Sequence, residues 1–352
     1  MLGVMRLMPN EGPAFAPSTP AALCPVAGAP VAERAATRLA RAGVDEVLAV
    51  SDDARVESWA GRADAPVDVV TRDRAVVREY ATGHDRAVVV DGATLAPSDA
   101  LAAAADAVPA GGAAAADGGS GTVPAAFAVP AAALADAASE DGLDALGRSA
   151  PASACISPAS VSDVRRSWEL LAANESVLGG VDRAIEGDVH PDADCRGAVV
   201  VEDGAEIDAG VVVEGPAVVS SGVTVGPNAY VRGNTFLDTD VHVGHSVEIK
   251  NSVVLRDANV PHLSYVGDSI VGPAANLGAG TVVANVRHDD DDVRVAHDGE
   301  RVSTGRRKFG AVVGEGAKLG IGTHLNAGVT VGPDATTRPG EVLTRDRRAE
   351  GG

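Results

Sequence analysis

From Val201 to about Leu343 aliphatic residues return every six positions, and no other property of this chain restricts its fold as severely. Val201, Ile207, Val213, Val219, Val225, Val231, Leu237, Val243, Ile249 and Leu255 form one unbroken series. The spacing resumes at Val271, Leu277 and Val283, and again at Val313, Leu319, Leu325 and Val331. Small or β-branched residues recur four places after each anchor: Ala205, Val211, Ala217, Val223, Ala229, Thr235, Val241, Val247 and Val253. A helix repeats at 3.6 residues and a strand at two, so neither places side chains this way. Short strands joined by tight turns and stacked coil upon coil do. The expected architecture is a hexapeptide-repeat parallel β-helix, its anchors stacked inward as ladders. Its turns carry Gly, Asn and Asp, as in Glu202-Asp203-Gly204, Asp208-Ala209-Gly210 and Gly226-Pro227-Asn228. Such a solenoid is a scaffold first, and the period alone assigns it no chemistry.

A length of 352 residues accommodates two ordinary domains. Ahead of the repeats, residues 25–50 read as a turn, an amphipathic helix and a short apolar strand, and Arg86 to Val90 as a second buried strand ending at Asp91-Gly92. Strands alternating with helices imply an α/β layer with a parallel sheet. Residues 101–138 are dominated by Ala with Gly and Pro and read as part helix, part loop. Val161 to Leu178 reads as one helix with Trp168, Leu170, Leu171 and Val177 on its apolar side. The resulting division is an α/β domain over 1–160, a linking helix over 161–183, repeats over 184–347 that begin with weak hexads near Ile185, and a tail over 348–352. Two departures interrupt the period. Leu255 and Val271 lie sixteen apart, which implies a loop let out with VPHLSYVGD, residues 260–268, inside it. Residues 286–310 form a second, longer excursion. Loops that leave a rigid repeat are where chemistry is usually mounted.

Charge narrows the partners. The net charge is −20, and only Lys250, Lys308 and Lys318 among the 29 basic residues are lysines. An acidic surface of this kind suits a protein that stays soluble in high salt, and it speaks against nucleic acid or an anionic membrane as partner. Cys24, Cys155 and Cys195 are odd in number, far apart and without metal-ligand spacing, so they read as reduced thiols in a cytoplasm and no metal site is expected. Proline interrupts both long uncharged stretches, which argues against a membrane span, and no apolar run follows Arg6 to make a signal peptide.

Within PHLSYVGDSIVGPAANLGAGTVVAN, VGHSVEIK and STGRRKFG the sequence closely resembles the acetyltransferase half of the bifunctional sugar-1-phosphate nucleotidylyltransferase/amino-sugar-1-phosphate acetyltransferases, their archaeal branch above all, and their bacterial uridyltransferase/glucosamine-1-phosphate acetyltransferase relatives. The match spans roughly Val199 to Asp346. It implies a left-handed parallel β-helix of hexapeptide repeats behind a Rossmann-like α/β nucleotidyltransferase domain, assembled as a homotrimer with active sites between subunits. The resemblance makes His262 the general base that takes the proton of the substrate amine as it attacks acetyl-CoA, work suited to a group that titrates near neutrality. It makes Arg232 and Lys250, thirty and twelve residues before His262, ligands of the sugar phosphate, with Tyr265 beside them. Asn276 and Asn285 match asparagines that hold the sugar and acetyl group, and Ala279 a position whose backbone meets acetyl-CoA. Without the motif, each Asn is equally at home in a β-helix turn, where it tolerates left-handed backbone. Lys308 matches a residue of the substrate phosphate or acetyl site. Arg306 and Arg307 are open to two readings: they bind the CoA phosphates, or they neutralise the acidic run Asp289 to Asp292. Asp291 and Arg294 stand where archaeal relatives tend to carry lysines, which bears on the choice of sugar.

The front half departs from the family pattern. TPAALCPVAGAP at 19–30 and WELLAANE at 168–175 resemble it, and Arg6 and Pro9 fall in the pattern, but the Gly-rich nucleotide loop is missing and so is the strand expected before it at Met1. Ala21 and Ala29 replace lysines that would meet phosphates, and Val90-Asp91-Gly92-Ala93 lacks the metal-binding Asp. Phosphoryl transfer rests on positioned cations and metal, so a degenerate domain is expected, with Mg²⁺ needed only if it is active after all. Two other readings stand beside the acetyltransferase: a still-active sugar-1-phosphate nucleotidylyltransferase, and a non-catalytic trimeric scaffold or regulatory subunit.

Overall fold

The computed structural model describes residues 1–7, 13–51, 53–65, 68–72, 77–108, 113–114, 126–136, 147, 161–297 and 299–349. They form two compact units. The first holds residues 1–11, 19–24 and 29–164, and the second residues 12–18, 25–28 and 165–352. Cys155 and part of the Ala-rich stretch, residues 109–112, 115–125 and 137–138, lie outside the described residues.

The first unit is an α/β layer. Its sheet runs in the order Asp68–Arg72, Glu46–Val50, Leu2–Arg6, Arg86–Asp91, Ala126–Pro130 and Ala113–Ala114. The first four strands are parallel, Ala126–Pro130 runs antiparallel to Arg86–Asp91, and Ala113–Ala114 pairs antiparallel with Ala126–Pro130. The expectation of a missing first strand is corrected: Leu2–Arg6 lies at the centre of the sheet with Leu2, Val4 and Met5 fully buried. Its five-residue LGVMR run, buried on both sides, has the continuous apolar character of a central parallel strand. Arg6 accordingly belongs to a strand and not to a loop. The helix Val31–Arg41 buries Val31, Ala32, Ala35, Ala36 and Leu39 at helical spacing. The expected helix from Val161 is shorter, because Ser162–Asp163 pairs as a strand with Thr94–Leu95 and helix begins only at Ser167.

The second unit is the expected left-handed parallel β-helix, its coils forming three parallel sheets of eight, seven and eight strands. The inward positions make one continuous stack of aliphatic side chains from Val199 to Leu343, none more than 5% exposed. Each sheet is one face of a triangular coil. The first face carries Ala217–Val219, Thr235–Leu237, Val253–Val254 and Ile270–Val271. The second carries His242–His245, Asn259–His262 and Asn276–Leu277, and the third Tyr230–Arg232, Glu248–Lys250, Tyr265–Gly267 and Val282–Val283. Coils of eighteen residues pair Val213 with Val231 and Val231 with Ile249. Two coils are seventeen long: Leu237 pairs with Val254, and Val254 with Val271. Here the sequence reading needs correction. No loop leaves between Leu255 and Val271; the anchor is Val254, and each coil is one residue short at the corner between the third and first faces. VPHLSYVGD is therefore wall, not excursion. The excursion expected over residues 286–310 is real. It leaves after Asn285 and returns at Phe309, whose N–H donates to the Asn285 carbonyl at 3.0 Å, and it carries the hairpin Arg294–His297 with Glu300–Ser303. Across it Val283 still pairs with Leu325.

The helix Ser167–Leu178 belongs to this unit. Asn174 is fully buried and donates to the Asn234 carbonyl at 2.9 Å. Residues 13–18 belong to it as well: the Phe15 carbonyl accepts the Glu315 N–H at 2.8 Å, and the Glu315 carboxylate accepts the Ser18 N–H at 3.0 Å.

Candidate active site

The pairing of coils decides which distant residues become neighbours. On the third face Arg232 stands directly beside Lys250, and Lys250 beside Gly267. One residue pair along, Tyr230 stands beside Glu248 and Glu248 beside Tyr265, which is followed by Val282. Adjacent strands lie about 4.8 Å apart, so the expected phosphate ligands Arg232, Lys250 and Tyr265 share one patch of wall. Arg232 donates to Glu248 Oε1 from Nε at 2.9 Å and from Nη2 at 2.7 Å, and its guanidinium lies 5.5 Å from the Tyr230 ring centre. Lys250 Nζ lies 2.9 Å from Asp268 Oδ2. Asn285 reaches into the same cluster, donating to Asp268 Oδ2 at 2.5 Å and to Tyr265 Oη at 3.2 Å. Four of the residues singled out in the sequence thus converge.

Two cations here are balanced by two carboxylates. A dianionic phosphate entering the cluster would meet a bidentate guanidinium, an ammonium and a phenol, and would take over from Glu248 and Asp268 as their partner. Burial raises the Tyr265 pKa above the usual phenol value; Lys250 opposes this, while Asp268 and Glu248 reinforce it. Tyr265 is therefore held as a neutral donor. Burial works against the charged form of Arg232, but the hydrogen bonds and charge of Glu248 outweigh it and the net shift is upward.

His262 ends the second-face strand Asn259–His262, in register with His245 on the preceding coil. Its backbone is fixed from two sides: the carbonyl accepts the Gly280 N–H at 3.0 Å and the Ser264 hydroxyl at 2.9 Å. Its side chain is exposed. The next residue, Leu263, makes the corner toward the third face with φ of 52°, and it is 64% exposed. Asn276 is exposed on the second face between Asn259 and Lys318. Ala279 lies at the following corner, its carbonyl accepting the Gly322 N–H at 2.8 Å. His262, Asn276 and Ala279 therefore line the second face and its corner, next to the cluster on the third.

The basic run sits elsewhere. Arg306, open to two readings from the sequence, is held by Glu175 of the helix Ser167–Leu178 through both terminal guanidinium nitrogens, with Nη1 at 3.0 Å. The same carboxylate accepts Asn251 Nδ2 at 2.8 Å. Asn251 lies at the corner between the third and first faces, so Arg306 is anchored there and not at the Ala279 corner. Arg307 is exposed and pairs with Asp290, while Arg287 pairs with Asp289 and pulls its carboxyl down to about 2. Arg307 thus pairs with the acidic run, as one of its two readings would have it. Lys308 is exposed and bridges to Val286 through the backbone at the root of the insert.

Sequence reasoning named neither Glu248 nor Asp268, although both lie inside quoted motifs, VGHSVEIK and HLSYVGD. Among the described residues no group of three or more His, Cys, Asp and Glu is placed to hold a metal ion, and no helix is long and apolar enough to cross a membrane.

The family described as the GMPPB C-terminal domain matches residues 213–331. The chain is 43% identical over 185 residues to a bifunctional sugar-1-phosphate nucleotidylyltransferase/acetyltransferase of Sulfurisphaera tokodaii, covering 52% of this chain and 46% of that protein. It is 41% identical over 188 residues to the bifunctional protein GlmU of Methanococcus vannielii, covering 53% and 45%, and 41% identical over 184 residues to that of Methanocaldococcus jannaschii, covering 52% and 45%. The matched stretch spans about half the length of each of these relatives. The resemblance read from the motifs, its archaeal branch included, is borne out.

Proposed function

We propose that the solenoid unit transfers an acetyl group from acetyl-CoA to the amine of an amino-sugar 1-phosphate, glucosamine-1-phosphate in the first instance, and that the α/β unit has lost nucleotidyl transfer. The observation that carries the reading is the placement of Arg232, Lys250 and Tyr265 on adjacent coils of one face, one corner from an exposed His262. The phosphate is held by Arg232, Lys250 and Tyr265, and Lys308 at the root of the insert lends a further cation. Asn276 and Asn285 orient the sugar and the acetyl group. His262 accepts the amine proton as the nitrogen attacks the thioester carbon; the tetrahedral intermediate collapses, the C–S bond breaks, and CoA leaves as its thiol after taking up a proton. The backbone at Ala279 meets the acetyl end of the cofactor. The protein works as a trimer in a salt-rich cytoplasm.

Three features support a silent front unit. Ala21 and Ala29 carry no charge, and Ala21 is buried. The residues at the end of the strand Arg86–Asp91 do not fit Mg²⁺, since Ala93 offers no ligand and the Asp91 carboxylate accepts the Ala93 N–H at 2.8 Å. Residues 13–18, soon after the first strand, are engaged by Glu315 of the solenoid unit. An assay in multimolar KCl with acetyl-CoA and glucosamine-1-phosphate should release CoA thiol, and His262→Ala should abolish that release while acetyl-CoA still binds. A parallel reaction with UTP, Mg²⁺ and N-acetylglucosamine-1-phosphate should give no pyrophosphate. Thiol release unchanged in His262→Ala refutes the base, pyrophosphate refutes the silent front unit, and silence in both reactions favours the scaffold.

A further inference from the structure

The phosphate cluster contains a nearly buried carboxylate that ties Lys250 to Asn285. Asp268 has a side chain only 3% exposed, and its carboxylate is fully engaged by neighbours. Oδ2 accepts Lys250 Nζ at 2.9 Å and Asn285 Nδ2 at 2.5 Å, and Oδ1 accepts Asn251 Nδ2 at 2.8 Å. Asn285 passes the connection to Tyr265 Oη, and Asn251 passes it to Glu175, which holds Arg306 at the far root of the insert. The backbone of Asp268 is tied as firmly: its N–H donates to the Lys250 carbonyl at 2.8 Å, and its carbonyl accepts the Gly310 N–H at 2.8 Å, just past the returning strand of the insert. Its φ of 52° is left-handed, a conformation Asp tolerates better than most residues and one that turns the carboxylate back under the coil above. Gly267 makes room for this, since a Cβ there would collide with Tyr265 Oη and lie 2.9 Å from Asn285 Nδ2.

We infer that Asp268 is the positioning residue of the anion pocket. It sets the ammonium of Lys250 and the amide of Asn285 before substrate arrives, and releases Lys250 to the phosphate when substrate binds. The inference rests on the acetyltransferase reading. A buried carboxylate with three donors aimed at it is costly to leave uncompensated, so its partners are held where it dictates. The alternative arrangement, a long lysine searching its rotamers in water, would leave that ordering to be done by the substrate. Of its hydrogen-bonded side-chain partners Lys250, Asn251 and Asn285, none lies at the Ala279 corner.

The test is a steady-state comparison of wild type, Asp268→Asn, Lys250→Met and the double variant, with acetyl-CoA and glucosamine-1-phosphate varied in turn. Asp268→Asn should raise the KM for the sugar phosphate roughly tenfold or more, as expected for losing charged hydrogen bonds, and leave the KM for acetyl-CoA unchanged. The double variant should lose less than the two single losses combined, because Asp268 acts in part through Lys250. Equal rises in both KM values, or losses that add in the double variant, would overturn the inference. Should Asp268→Asn fail to fold, Asp268→Glu keeps the charge but displaces it by one methylene, and an unchanged sugar-phosphate KM in that variant overturns the inference too. Absence of turnover in wild type with either substrate is a different outcome, and it condemns the acetyltransferase reading.

Discussion

At the scale of single residues, the cluster on the third face is a set of mutual restraints. Tyr265 illustrates the consequence for titration. Its pKa is raised by burial first and by Asp268 and Glu248 next, with Lys250 opposing. The folded state therefore holds the phenol proton more tightly than the unfolded chain does. The associated stability is present below the ordinary phenol value of about 10 and is lost as pH rises through the higher folded value. Denaturation midpoints measured against pH should fall above about pH 10 in wild type, and Tyr265→Phe should lose part of that fall. A Tyr265→Phe profile superimposable on wild type would show that the phenol is not held this way. The residues proposed to carry the chemistry were legible because a motif names them. Their partners were not: Glu248 and Asp268 look like ordinary surface acids of an acidic chain until the coils are stacked and the lysine and arginine are seen to need them.

At the scale of elements, the corners decide what the faces can carry. Each coil turns through residues with left-handed backbone. At the corner that follows the second face these are Gly210, Asn228, Ser246, Leu263, Gly280, Gly322 and Gly340. Gly and Asn suit such positions and a leucine does not, its Cβ crowding the carbonyl at a cost of about 1–2 kcal/mol. Leu263 is also largely exposed, so no buried contact offsets the strain. Replacing it by Asn, the residue found at Asn228, should stabilise the solenoid by about 1 kcal/mol and raise its melting temperature; an unchanged or lower temperature would mean the corner is not strained. The strain sits immediately after His262, as strained backbone often does at working sites. The period of six made the strands, their inward residues and the long insert legible. It failed at the two seventeen-residue coils, because a one-residue shortening at a corner leaves the stack intact while it shifts the count. A gap that is not a multiple of six was therefore read as an added loop when it records two deletions.

For the whole molecule, charge is the dominant property. With 49 acidic and 29 basic residues, self-repulsion works against the compact state at low ionic strength, and most of the ion pairs seen are at the surface, where they are worth little. Raising KCl from about 0.1 M to 2 M shortens the screening length from roughly 10 Å to below 3 Å and should raise the melting temperature. A fall over that range would show that attractive pairs outweigh repulsion. The front unit was the less legible half. Its strand alternation gave the fold class, but the first strand was missed because LGVMR is short, lies at the edge of the reading window and carries an arginine. The insert on the solenoid has a wider implication. Its two ends meet through the Phe309–Asn285 backbone hydrogen bond and the adjoining Val286–Lys308 bridge, and the coils on either side pair as though nothing lay between them. A segment mounted in this way can be lengthened, shortened or exchanged during evolution without disturbing the register of the stack, so a lineage can revise what the loop recognises while inheriting the pocket wall unchanged.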